Sequence, residues 1–331
     1  MLRSSSLHHK TGLKLPDISA LNGTAIANIA KVNGLDLPSG ALTPPLDSYS
    51  GAAAGFSVRL LRTAYTGAAL RVRRDTGGAT GDDDEADIAF DSGLVSLNST
   101  ISNASSGVTA TTLGQFINVG TVGGTTYTNP DSLTVTALCY VPKMYDQSGN
   151  SRDATASGAG TEMQLHDGTL DTDLVQLNGT VAMESNRVVY SFSSATASNT
   201  FAVTTVAESG LASGLSTLYG NPFGNNAISF QASNVLAVLA ASTTAMNATY
   251  PNNQMAILVY GTGSGYYVRV DGTAETNNTE TTALNLDNFG GPSYGIWRGK
   301  VQEFIVWGSF STSDISGLEN NFSDFYSIPG M

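Results

Sequence analysis

A single cysteine, Cys139, stands in a chain of 331 residues, so no disulfide can close within it. That fits folding in a reducing compartment. Cys139 lies inside a strand-like segment and reads as a small buried hydrophobe rather than a nucleophile. Positive charge is scarce, with 15 Lys and Arg against 27 Asp and Glu for a formal net charge of −12. Phosphate backbones are held by clustered cations, so this balance argues against a nucleic-acid partner. No apolar run approaches the ~20 residues of a membrane helix. The opening stretch MLRSSSLHHKTGLKLP has no apolar h-region and does not read as a secretory signal. His8 and His9 in that stretch have no further ligands nearby and suggest no metal site. Charged residues make up only 13% of the chain, while Gly, Ser, Thr and Asn are abundant and 41% of residues are apolar. This composition suits short strands and tight turns around a real core, not a helical bundle.

Residues 1–48 differ from the rest of the chain. Leu21-Asn22-Gly23 is echoed by Val32-Asn33-Gly34, eleven residues on, with a short apolar segment between. Asn-Gly is a turn signal, so two small turns are expected here. Leu37-Pro38-Ser39-Gly40 and Pro44-Pro45 then read as a linker. Ile18, Leu21, Ile26, Ile29, Val32 and Leu35 are too few for an independent core and want a partner surface. The segment is either a flexible tail or an extended arm that docks on another subunit; the docking arm is the expectation carried forward.

From residue 49 a single domain is expected to run to 331. Ala52 to Tyr65 spaces Phe56, Leu60 and Leu61 as a helix would, with Thr66-Gly67 to stop it. Leu70 to Arg74 alternates like a strand, with Arg71 and Arg73 either meeting the acidic run that follows or, as the favoured reading, on an ordinary solvated face. The acidic run after it offers Asp82, Asp84 and Asp87 as calcium ligands, or simply a solvated loop. Residues 92–130 read as a long surface excursion anchored by Leu113 and Phe116. Beyond residue 174, short strands punctuated by Gly and Asn succeed one another. They include hairpins at Asn178-Gly179 and around Gly261–Gly265, and a last strand Lys300–Trp307. Ile315, Leu318, Phe322 and Phe325 then share one face of a closing helix that Ser313 would cap. The pattern is all-β, a sandwich or jelly roll with a short C-terminal helix.

The most informative run is Tyr145-Asp146-Gln147-Ser148-Gly149-Asn150, a polar turn-prone loop delivered by a strand. It reads either as a corner tethering a loop to the sheet or as a sugar-binding loop. Together FSVRLLRTAYTGAALRVRR (56–74) and MYDQSGNSRDAT (144–155) resemble the catalytic domain of the fungal α-L-arabinofuranosidase B family. They resemble still more the domains of that type carried by phage virion proteins. The resemblance covers roughly residues 50–328, strongest in these two stretches and at the C-terminus, and it implies a concanavalin A-like β-sandwich.

In that family the acid/base aspartate follows a Gly-Gly pair. Here Gly290-Gly291 is followed by Pro292, which cannot transfer a proton, and no segment matches the family's nucleophile with its cysteine pair. Asp287, Glu303 and Glu184 are carboxylates that no spacing singles out. A Gly-x-Ser-x-Gly elbow, a metal-ligand His pair and a phosphate loop are all lacking. The expectation is therefore a non-enzymatic chain. Asp146, Gln147, Asn150, Tyr267, Tyr294 and Trp297 supply the amides, carboxylate and aromatic rings that lectin-type sites use, although Trp297 reads equally as a packing residue. What the resemblance implies is a phage virion surface protein made in the host cytoplasm: a capsid decoration, head fibre or tail appendage. Its arm would attach to other virion proteins, the sandwich would face a host-surface glycan, and the chain would form a homo-oligomer. No cofactor is expected beyond the calcium candidate. The alternative is a carbohydrate-binding module or an arabinofuranosidase-like glycoside hydrolase.

Overall fold

The computed structural model describes residues 42–77, 83–186, 189–192, 201–208, 216–221, 226–231, 235–240, 242–249, 254–273, 276–277, 279, 281, 283–284, 286–290 and 298–328, with the strand residues 20–21, 24–25, 31–32 and 35–36 near the start. It divides into two compact units, residues 1–43 and 44–331. In the first unit Ala20–Leu21 pairs with Thr24–Ala25, and Lys31–Val32 with Leu35–Asp36. In sequence, each pair flanks one of the two Asn-Gly dipeptides, a turn signal.

The boundary falls five residues before the expected one. Pro45–Ser48 forms a short helix whose Leu46 is buried in the second unit, with its amide donating to the Leu61 carbonyl at 2.9 Å. The Asp47 carboxylate accepts from the Thr63 amide and hydroxyl. These two anchors make the prolines part of the domain rather than of a linker.

The second unit is built on a curled antiparallel network of nineteen strands among the described residues, with two small hairpins beside it. Arg298–Trp307 lies at its centre. Along one side it pairs with Ala202–Glu208; along the other it pairs first with Met183–Asn186 and then with Ala52–Ser57. Gln254–Gly261 and Tyr266–Val270 extend this sheet. Opposite it, Leu138–Met144 pairs with Leu70–Asp75 on one side. On its other side it holds Met163–Asp167 by its first half and Ala154–Ala156 by its second half. Val189–Phe192 and Asn288–Gly290 continue from Ala154–Ala156 in register. Aromatic rings join the layers. Phe304 packs on Phe289 at 4.4 Å, on Phe56 at 4.6 Å and on Tyr219 at 5.9 Å between ring centroids, and Phe56 reaches Phe192 at 5.5 Å.

The central strands are buried on both faces, which explains why their sequences do not alternate. Phe56, Val203, Ile257 and Phe304 point into the sandwich. Ala52, Ala202, Ala256 and Ile305 face an outer layer built on the helix Ile315–Tyr326 through Ile315, Leu318, Phe322 and Tyr326. Small residues on that side let the helix approach.

The structure corrects four expectations. Ala52–Ser57 is a strand, not the start of a helix, because its alternate residues serve two different cores. Residues 92–130 are no surface excursion: Val95, Leu97, Ala110, Leu113, Phe116, Ile117, Val119 and Tyr127 are all buried in the main core. Ser313 does not cap the closing helix; it lies in a 3₁₀ turn, Thr312–Asp314, that leads into it. Arg71 and Arg73 do not lie on a merely solvated face, since both pair with acidic side chains of 83–87. Cys139 is fully buried, and burial pushes its thiol well up, so it is no nucleophile.

Candidate functional site

Asp146 is 4% exposed and Gln147 is 0% exposed. Asp146 Oδ1 accepts from the Gly55 and Ser148 amides, both at 2.9 Å, and Oδ2 accepts from the Ser148 hydroxyl at 2.8 Å and the Arg152 amide at 3.0 Å. Gln147 Oε1 accepts from the Leu61 amide at 2.7 Å while its Nε2 donates to the Ser57 and Arg59 carbonyls. Asn150 Nδ2 donates to the Ala52 and Ala53 carbonyls. The loop thus supplies the partners that a buried strand end needs. For Asp146 and Gln147, both buried, the tethering reading is the one the geometry fits, because their polar groups are bonded within the protein; Asn150 tethers through Nδ2 but is exposed.

The acidic run is matched to guanidinium groups. Arg73 pairs with Asp83 at 2.6 Å and Glu162 at 2.7 Å; Arg74 pairs with Asp84 at 2.7 Å and Asp131 at 3.0 Å. Arg71 pairs with Glu85 at 2.5 Å and Asp87 at 2.8 Å. Asp87 accepts further bonds from the Tyr145 hydroxyl at 2.7 Å and Asn103 Nδ2 at 2.9 Å. Burial, and then that bond to Asp87, push the Tyr145 hydroxyl up to about 12. The cations facing Asp84 and Asp87 are therefore arginines, which corrects the calcium expectation at those two residues; Asp82 lies outside the described residues. No group of three or more His, Cys, Asp or Glu side chains placed to share an ion occurs among the described residues.

Cross-strand register assembles a row that sequence order conceals. Ser102 pairs with Asp87, Asp87 with Arg71, Arg71 with Lys143, Lys143 with Thr155, Thr155 with Ser191 and Ser191 with Asn288. Directly paired residues share a face. The next register inward, Ile101, Ile88, Leu70, Met144, Ala154 and Phe192, packs into or against the core. The polar row is therefore the outward face of seven consecutive strands. Its first part is internally neutralised through Arg71 and Asp87. From Lys143 onward it carries groups open to solvent. Lys143 is 33% exposed, 3.6 Å from Asp153 and stacked over Tyr145 at 5.2 Å; Thr155 and Ser191 are exposed. Ser191 donates to Asn288 Oδ1 at 2.6 Å, and Asn288 donates to Asp287 at 2.8 Å. A second outward row leaves the same strand: Tyr140, Gln164, Glu184 and Lys300.

The other candidates are scattered. Tyr267 is half-buried and stacked on Tyr260 at 5.0 Å beside the outer layer. Tyr294, Trp297 and Pro292 lie outside the described residues. Glu303 is fully buried against Arg59, whereas Glu184 is exposed on its row and Asp287 adjoins the end of the first. Of the attachment set, Leu21, Val32 and Leu35 fall in the small hairpins. Ile18, Ile26 and Ile29 lie outside the described residues. Lys143, Thr155 and Ser191 are ordinary alone, and Asn288 reads in the sequence only as an amide upstream of Gly290-Gly291; register alone brings the four together. An alternation of outward polar residues in 143–144, 154–155 and 191–192 was the available signal.

No family model matches the chain, and no curated protein matches it. Solved structures do. A mutant GH54 α-L-arabinofuranosidase soaked with 4-nitrophenyl α-L-arabinofuranoside aligns over 82% of this chain and 62% of its own, at 11% identity and a TM-score of 0.52. An arabinofuranosidase complexed with arabinofuranosyl-α-1,2-xylobiose aligns over 84% of this chain and 64% of its own, at 14% identity and a TM-score of 0.52. This chain thus spans somewhat under two thirds of the length of those proteins. At such identity the likeness establishes the fold, the β-sandwich of the arabinofuranosidases. It also corrects the expectation of a non-enzymatic chain. That expectation rested on Pro292, which lies outside the described residues, and on the missing nucleophile segment, whereas the chain shares its fold with arabinofuranosidases.

Proposed function

We propose that the domain of residues 44–331 binds carbohydrate on its outward sheet face, along Lys143, Thr155, Ser191 and Asn288. The observation that carries this is the row itself: an ammonium, two hydroxyls and an amide in direct register on adjoining strands, beside Tyr145. Such groups hydrogen-bond sugar hydroxyls, and an aromatic ring packs on a sugar face. Kinship of fold with arabinofuranosidases supports the same class of ligand. The test is saccharide binding by the full chain and by a Thr155→Val/Ser191→Ala/Asn288→Ala variant. All three positions are solvent-facing, so the variant should fold and lose binding; unchanged binding would move the site elsewhere.

Glycoside hydrolysis is the second reading, favoured by the shared fold and by two carboxylates, Glu184 exposed on the second row and Asp287 bonded to Asn288 at the end of the first. Hydrolysis of 4-nitrophenyl α-L-arabinofuranoside that disappears in Glu184→Gln or Asp287→Asn would support it. Activity unaltered in both variants would reject these carboxylates. For the first unit, attachment to other virion proteins within a homo-oligomeric particle component is a separate proposal resting on sequence resemblance. Co-sedimentation with particles lacking the protein tests it.

A further inference from the structure

We infer that the ligand of this face is an extended glycan lying across the strands, rather than a single terminal sugar; the inference rests on the carbohydrate-binding reading of the row. Lys143, Thr155, Ser191 and Asn288 come from four adjoining strands in unbroken direct register. Strands in a sheet lie ~4.8 Å apart, so the row presents one polar group at each such step and runs about 14 Å from end to end. That step is comparable to the length of one sugar unit in an extended chain. A site for a terminal sugar converges on one ring from several sides. Here the groups are set side by side along a line, and Thr155 and Ser191 at its middle are exposed rather than enclosed.

The row is also held rigid. Met144, Ala154 and Phe192, the inward neighbours of its first three members, are buried in the core. Asn288 is fixed by its bonds with Ser191 and Asp287. Little side-chain or backbone ordering is then needed when a chain is laid down, which favours contacts that repeat from one strand to the next. The row closes at Lys143, because Arg71 and Asp87 beyond it are held by each other and by Glu85, Tyr145 and Asn103, whereas Thr155 and Ser191 stay exposed. Its open length therefore suits three to four sugar units.

The test is calorimetric titration of the full-length protein with neutral linear ladders derived from xylan, arabinan and β-glucan, from one to six units. For at least one ladder, affinity should rise roughly tenfold or more between two and four units and level off by five. Thr155→Tyr, a bulky group at an exposed mid-row position, should reduce affinity for the four-unit chain to about that for two units. Equal affinity for one unit and six would overturn the extended-chain inference while leaving carbohydrate binding intact. Failure of every ladder to bind would overturn both.

Discussion

At the residue scale, the strongest commitment in the molecule is a buried ion pair. Arg59 and Glu303 are 2% and 0% exposed and meet at 2.5 Å, with the Tyr326 hydroxyl donating to Glu303 at 2.9 Å and Arg59 donating to Asn321 at 2.9 Å. The guanidinium also lies over the Phe325 ring at 4.3 Å. Burial alone would lower the Arg59 pKa, but the carboxylate beside it holds it above its usual range. Removing one partner strands the other charge, so Glu303→Ala should cost about 3–5 kcal/mol in chemical denaturation. An Arg59→Met/Glu303→Leu double variant should recover most of that loss; if it is no better than the single variant, the penalty is not that of an orphaned charge. Asp271 behaves in the opposite way. Burial first, and the nearby Glu319 charge second, raise its pKa to about 6, against the pull of the bond from the Ala256 amide. Between the ordinary Asp value near 4 and that value, the folded chain holds a proton that the unfolded chain has released. Stability contributed at this position is therefore present at low pH and is lost as pH rises through about 4 to 6. Asp271→Asn keeps an acceptor for Ala256 and should match the parent near pH 4 while exceeding it by about 1 kcal/mol at pH 8, once solvent screening is allowed for. A pH-independent difference would refute this account.

At the scale of elements, the closing helix makes one close approach to the chain at Gly317. A Cβ on Gly317 would fall on the Tyr49 hydroxyl, and Tyr49 in turn accepts the Trp307 indole N–H through its carbonyl at 3.2 Å. In a free helix Gly→Ala stabilises by about 1 kcal/mol. Here Gly317→Ala should lower the melting temperature, because overpacking costs about 1–3 kcal/mol. In a Tyr49→Phe background the same change should be neutral or favourable, and failure of that rescue would place the clash elsewhere. Elements with a local signature were legible in the sequence. Asn178-Gly179 turns the hairpin that pairs Leu177 with Thr180, and the helix face of Ile315, Leu318 and Phe322 is buried as its spacing requires. What was illegible depended on distant partners. Ala52–Ser57 mimics a helix because both of its faces are buried. The buried residues of 92–130 are spaced without period because they enter the core from loops, a five-residue helix, Leu113–Ile117, and a short strand, Thr125–Tyr127, rather than along one element. The outward row was illegible for the same reason, since no residue in it is near its neighbours in sequence.

At the scale of the whole molecule, the second unit owns its core and its anchors down to Leu46. A chain beginning at Pro44 should therefore melt within a degree or two of the full-length protein in calorimetry, and a large loss would mean that the first unit contributes to the fold. The position of the central strand has a different consequence, one of timing. Arg298–Trp307 joins Ala52–Ser57, Met183–Asn186 and Ala202–Glu208, yet it comes late in the chain. Contacts so far apart in sequence carry a large closure entropy and fold slowly. During synthesis, these earlier strands must wait on the ribosome with their central pairing positions unfilled, and they are exposed to strand-to-strand association until Trp307 emerges. The hairpins of residues 20–36, by contrast, need only their immediate neighbours and can form as soon as they leave the exit tunnel. The chain can thus present its first unit to the cell well before its sandwich exists.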